Sequence, residues 1–311
     1  MISCTEFIPS YSELFSFLED KHGRGEVDLF WDYLFKPDGK GIPLIGFIER
    51  EGLKGCWTYW KGTLNEEAAD FTMYLNEKRG FYHNVMHWCP SKGRLLKLKD
   101  EIGIEPYHDY CLHCDLYRLA VEKCGLKYIY NFTDTDKAAC SMLIYDPKVF
   151  DGRVIIDEDT LVMDRKASDN EYFHPDFHSS LNMGCHYLGE KFGKEELVEY
   201  LTRFTKNIYR PVIESIQEKG LQAIADKIID TYEKEHSLDV LTLNVDNNKL
   251  SVNISECPAV KHLTSTGRKI SPWYVYSTTI VMDVLAKTGG YKFEMISYDT
   301  TTGAAKYCFS I

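Results

Sequence analysis

The sequence predicts an α+β protein: two tandem copies of one unit, each an N-terminal helical bundle packed on an antiparallel sheet, the copies related by a pseudo-two-fold axis. Three observations lead there. The chain repeats itself in order: Phe17–Gly23 with Tyr187–Gly193, Ile48–Leu53 with Ile216–Leu221, and Cys89-Pro90 with Cys257-Pro258. Pro106-Tyr107 then matches Pro272-Trp273, Gly125–Tyr128 matches Gly290–Phe293, and Ala138-Ala139 matches Ala304-Ala305. The offset stays near about 165–170, the mark of duplication. Each copy also runs from helical patterns to a hairpin, then back to helices and a final strand pair. Lastly, Leu250, Val252 and Ile254 alternate with Ser251, Asn253 and Ser255, which buries one face of a sheet.

The elements follow from this. Copy one spans 1–146, with helices expected at 10–22, 25–36 and 43–62. Copy two spans 174–311, with helices at 175–191, 194–206, 208–219 and 221–236. Its hairpin joins 240–245 to 250–256 through Asp246-Asn247-Asn248, residue types that suit turn dihedrals. A short helix follows each Cys-Pro. Longer helices are expected at 107–124 and 273–288, and final strands at 126–132, 139–145, 291–298 and 304–310. The Asp-rich segment 147–173 reads either as a solvated linker or as a small hairpin, Val154-Ile155-Ile156 against Leu161-Val162-Met163 around Asp157-Glu158-Asp159.

Composition excludes some functions. The chain has 311 residues, 44% of them hydrophobic, and Asp and Glu outnumber Lys and Arg 47 to 36. A net charge of -11 argues against sequence-independent nucleic-acid binding. The start lacks a basic region followed by an apolar run, and no stretch is long enough to span a bilayer, so a cytoplasmic protein without membrane contact is expected. Its ten cysteines are then expected to be thiols, available for metal or catalytic chemistry or buried as small hydrophobes.

Four of those cysteines frame the candidate site. Cys89 precedes Pro90, Cys111 and Cys114 lie in Tyr110-Cys111-Leu112-His113-Cys114-Asp115, and Cys140 opens the last strand of copy one. Pro106 and Gly125 punctuate a helix between them. At about 100° per residue, His108, Cys111, Cys114, Asp115 and Arg118 share a face, Leu112, Leu116 and Leu119 form the core stripe, and His113 points away. Copy two carries Ser277, Ile280 and Lys306 opposite Cys111, Cys114 and Cys140, so the fold does not require the sulfurs. On the strand before Cys89, period two puts His83 and His87 with Cys89, facing solvent or a polar cleft. In copy two, His178, Asn182 and Cys185 follow one helix face, either as ligands or as a polar stripe.

A Cys-Pro after a strand, a Cys-x-x-Cys-Asp on the next helix and a cysteine opening the last strand resemble the L-2-amino-thiazoline-4-carboxylic acid hydrolase family. The helix–hairpin–helix–hairpin plan is similar to the 4-vinyl-reductase (hydrocarbon-binding) domain. The resemblance implies a hydrolase acting on carbon–nitrogen bonds of a small cyclic amidine, thiazoline or amide. Cys111 or Cys114 near a helix start would supply thiolate, Asp115 with His108 would handle protons, and Arg118 would hold a substrate carboxylate. His87, Cys89, His178 and Cys185 are the candidate ligand contacts. The alternative is a non-enzymatic sensor or carrier of a small ligand or metal, with Cys89, Cys111, Cys114 and Cys140 holding zinc or another thiolate-bound ion. The expected partner is a small molecule.

Overall fold

A computed structural model of the chain describes residues 1–35, 43–246 and 248–311. Residue 36 of the second expected helix and Asn247 of the expected turn lie outside the described residues. The protein is α+β with two antiparallel sheets. It divides into a middle unit, Lys21–Glu101 with Glu105–His174, and a C-terminal unit, Met1–Asp20 with Ile102–Ile104 and Pro175–Ile311.

The middle unit begins with α2 (Arg24–Phe35), α3 (Pro43–Glu51) and α4 (Leu53–Glu66), α1 (Phe7–His22) lying mostly in the other unit. The helix expected over 43–62 is two helices. Gly52, at φ 60° and ψ -136°, turns the chain between α3 and α4, a conformation open to glycine alone. The hairpin β1 (Asp70–Asn76) and β2 (Phe81–Trp88) leads to α5 (Pro90–Ile102). A 3-10 helix (Tyr110–Leu116) and α6 (Tyr117–Lys123) come next, then β3 (Lys127–Asn131) and β4 (Cys140–Tyr145).

The sheet order is β3-β4-β2-β1-β5, where β5 is Leu161–Arg165. One face, carrying Phe71, Met73, Tyr82, Met86, Tyr128 and Ile144, packs on Ile48, Cys56, Trp60 and Leu64 of α3 and α4. Trp60 stacks on Tyr82 at 5.5 Å between ring centroids. The small hairpin expected around Asp157 does not form. Its second half pairs with the edge of β1 as β5, Leu75 opposite Leu161. Asp157 is occupied instead by Asn76 Nδ2 at 2.8 Å and Arg79 Nε at 2.5 Å, which tie the loop to the β1–β2 turn.

In the C-terminal unit, α1 lies with α7 (Phe177–Lys191), α8 (Lys194–Ile208), α9 (Arg210–Lys219) and α10 (Leu221–Lys234). Tyr200 Oη donates to Ser10 O at 2.7 Å, and Lys227, almost fully buried, pairs with Glu6. The strands β6 (Leu241–Val245) and β7 (Lys249–Ile254) precede α11 (Pro258–Ser265) and α12 (Tyr276–Thr288); β8 (Lys292–Tyr298) and β9 (Ala305–Ser310) complete a sheet of order β6-β7-β9-β8. Leu250, Val252 and Ile254 are buried, as their alternation requires. The helix expected from 273 begins at Tyr276, after a turn.

Candidate functional site

Three local features bring Cys89, Cys111, Cys114 and Cys140 together. Cys89 leaves β2 just before Pro90 opens α5, and its N–H donates to Ala138 O at 2.6 Å. Ala138 is left-handed, at φ 57°, and turns the chain into β4. The register then sets Cys140 opposite Met86, close to the end of β2. The third feature is the segment Tyr110–Leu116, a 3-10 helix where an α-helix is expected. His113 Nδ1 takes the Tyr110 carbonyl, which an α-helix would offer to the Cys114 N–H. With three residues per turn, side chains at i and i+3 eclipse, so Cys114 stacks on Cys111 and His113 on Tyr110.

Cys89, Cys111, Cys114 and Cys140 line one cleft of about 300 Å³, part of it open to solvent. His113 lines it too, contrary to the helical projection that turns it away. Its Nε2 is 3.7 Å from Cys114 Sγ. Tyr130 reaches in from β3 and its hydroxyl donates to Cys140 Sγ at 3.1 Å. Lys92 N–H points at Cys89 Sγ from 3.5 Å, and Tyr128 Oη donates to Cys114 O at 3.0 Å. Among the described residues, no three ligand atoms of this cleft lie mutually within 4.8 Å, so closure on an ion requires side-chain rotation.

The electrostatics run against a free thiolate. Burial pushes Cys111 and Cys114 up to about 12, and Cys114 and then Cys140 raise Cys111 further. Burial likewise lifts Cys140 to about 11, with the Tyr130 hydrogen bond pulling the other way. Cys89 is also raised, by burial and then by Cys140 and Cys114. Burial lowers His113 to about 4, partly offset by its bond to Tyr110. At neutral pH the cleft therefore holds neutral thiols and a neutral imidazole. The low-pKa cysteine expected near a helix start is not found, because desolvation outweighs the weak field of a short 3-10 turn.

The other sequence candidates lie elsewhere. His108 is exposed, with Nε2 3.6 Å from Asp109 Oδ2. Asp115 and Arg118 pair with each other at 2.5 Å outside the cleft lining, and Arg118 Nη1 donates to Tyr128 O at 2.8 Å. His87 is exposed on β2 and bonds Thr72 Oγ1 at 2.8 Å. His83, expected to face solvent or a polar cleft, is half-buried, and burial lowers its pKa. His178 and Cys185 are buried in the C-terminal unit, where burial raises the Cys185 thiol to about 12. Between them, Asn182 is spent on Lys269 O and Ser271 N.

Sequence reasoning missed three neighbours of the sulfurs. An α-helical projection turns His113 away from the sulfurs, whereas the 3-10 turn brings it to them. Tyr130 was legible as the strand residue alternating with Tyr128. Glu67, next to the end of α4, carries no sequence signal; burial raises its carboxyl, and its charge raises the Cys114 thiol. No family model, curated protein or solved structure matches the chain. Among the described residues, no helix is long and apolar enough to cross a membrane.

Proposed function

We propose that the thiol cleft is a binding site for a soft divalent metal, zinc being the ion that fits sulfur and imidazole donors, and that the chain works as a metal- or small-ligand-binding module. The observation that carries this reading is the convergence of Cys89, Cys111, Cys114 and Cys140, with His113, on one cleft from the β2–α5 junction, the 3-10 helix and β4. Thiols crowded and desolvated together raise one another's pKa; a cation among them reverses that cost. Each ligating thiol must lose its proton, so affinity should climb steeply with pH. Titrating zinc against a chromogenic chelator tests it. The expected result is tight zinc binding of which one ion per chain is lost on Cys114→Ser together with Cys111→Ser. Unchanged affinity in that double variant sinks the proposal.

The hydrolase reading has less support. It needs a thiolate or a poised base, and the thiols sit near 11 to 12 with His113 near 4. The resemblance to the thiazoline hydrolase family therefore bears on the architecture of the cleft more than on its chemistry. All ten cysteines carry thiols rather than disulfides, which suits a reducing compartment such as the cytoplasm.

We also infer that the chain arose by tandem duplication. The order β3-β4-β2-β1 is matched by β8-β9-β7-β6. Gly220 joins α9 to α10 at φ 59° and ψ -133°, nearly the values of Gly52 between α3 and α4. Cys257 N–H donates to Thr302 O at 3.0 Å, as Cys89 does to Ala138. The ladders pair Met86 with Cys140 and Ile254 with Ala305, so the counterpart of Cys140 is Ala305 rather than Lys306. On this reading only Cys257 keeps a sulfur in copy two, and the cleft is a one-copy specialisation.

A further inference from the structure

We infer a second metal site in the C-terminal unit, in which Cys4, His178 and Glu235 take a divalent ion of the zinc class. The three come from separate elements: the 3-10 turn Cys4–Glu6, the first turn of α7, and the residue just past α10. One sulfur, one imidazole nitrogen and one carboxylate oxygen lie mutually within 4.8 Å. The residues are 1%, 1% and 4% exposed. This mixed donor set is the one zinc takes in proteins, where mutually adjacent ligands of different type close around one ion.

The simpler reading is a buried His–Glu pair, since His178 Nε2 meets Glu235 Oε2 at 2.9 Å. That pair leaves two things unexplained. His178 Nδ1 is buried without a hydrogen-bond partner among the described residues, where nearly every buried polar atom finds one. The pair also does not need a sulfur, yet the Cys4 ligand atom belongs to the same cluster. A divalent cation accounts for the second: it takes the imidazole as a ligand in place of the proton shared with Glu235, and a carboxylate plus a thiolate neutralise its charge inside a desolvated site. The carboxylate is already oriented, because the Cys4 N–H donates to Glu235 Oε1 at 2.6 Å and leaves Oε2 turned to His178. An ion there would pin the N-terminal turn to α7 and α10.

The test keeps this site apart from the thiol cleft. A chain with Cys89, Cys111, Cys114 and Cys140 all changed to Ser is titrated with cobalt(II), and its near-ultraviolet sulfur-to-cobalt charge-transfer band is followed. The expected result is one ion per chain with that band, the band being lost on adding Cys4→Ser and binding weakened by His178→Ala or Glu235→Gln. Zinc should raise the Tm of the parent and not of the Cys4→Ser variant. A folded parent without the band, or a band undiminished in Cys4→Ser, overturns the inference. Should the fourfold variant not fold, metal counts on the intact chain decide: Cys4→Ser must lose one ion per chain, and an unchanged count overturns the site whatever the cleft binds.

Discussion

The Tyr130 hydroxyl donates to Cys140 Sγ across 3.1 Å, reaching the thiol cleft from β3. A donor favours the thiolate over the thiol, so this bond holds the Cys140 pKa below what burial alone would give, and it acts on Cys114 in the same direction. Tyr130→Phe should therefore slow alkylation of both thiols at any given pH. Iodoacetamide rates from pH 8 to 11, followed by peptide mapping, would show it; faster labelling in the variant would contradict the assignment.

Glu67 should lower stability at neutral pH. Burial raises its carboxyl above the ordinary value, against the pull of His174 and Arg94. A group whose folded pKa is raised contributes fully below its unfolded value and loses that contribution as pH rises through the folded one. Glu67→Gln is thus expected to match the native protein near pH 4 and to exceed its stability at pH 8. Urea unfolding at the two pH values checks this, and equal midpoints at pH 8 would count against it.

Gly52 and Gly220 both turn helix pairs at positive φ, but their surroundings differ. An added Cβ at Gly52 meets nothing within 4 Å, whereas at Gly220 it would come 2.6 Å from Tyr291 Oη. Gly52→Ala should cost about 1–3 kcal/mol from backbone strain alone, and Gly220→Ala more. Thermal unfolding of the two variants should rank them in that order.

Arg118 makes a partly exposed ion pair with Asp115 beside the cleft rather than inside it. Such pairs contribute roughly 0–1 kcal/mol. Arg118→Ala should leave zinc affinity within about twofold and shift stability by no more than that amount. A large loss of metal binding would return Arg118 to the site.

Much of this was written plainly in the sequence. The alternation through Leu250, Val252 and Ile254 marks a half-buried strand, and it is one. The four cysteines stood out because a strand end, a Cys-x-x-Cys and a strand start are local patterns. What stayed hidden depends on contacts between distant residues. The 3-10 turn arises from the His113 ring competing for the Tyr110 carbonyl, which no periodicity records. Strand β5 forms because β1 has an open edge for Leu161–Arg165 to pair with. Cys4 meets Glu235 across 231 positions, so only the fold reveals that His178 belongs with them rather than with Cys185.

The central claim is that Cys89, Cys111, Cys114 and Cys140 hold a metal. X-ray absorption at the zinc edge of the loaded Cys4→Ser protein tests it most directly, since the second site is removed. The account predicts a first shell dominated by sulfur at about 2.3 Å, with at most one nitrogen near about 2.0 Å. A shell of oxygen and nitrogen alone, or no stoichiometric zinc, would contradict it.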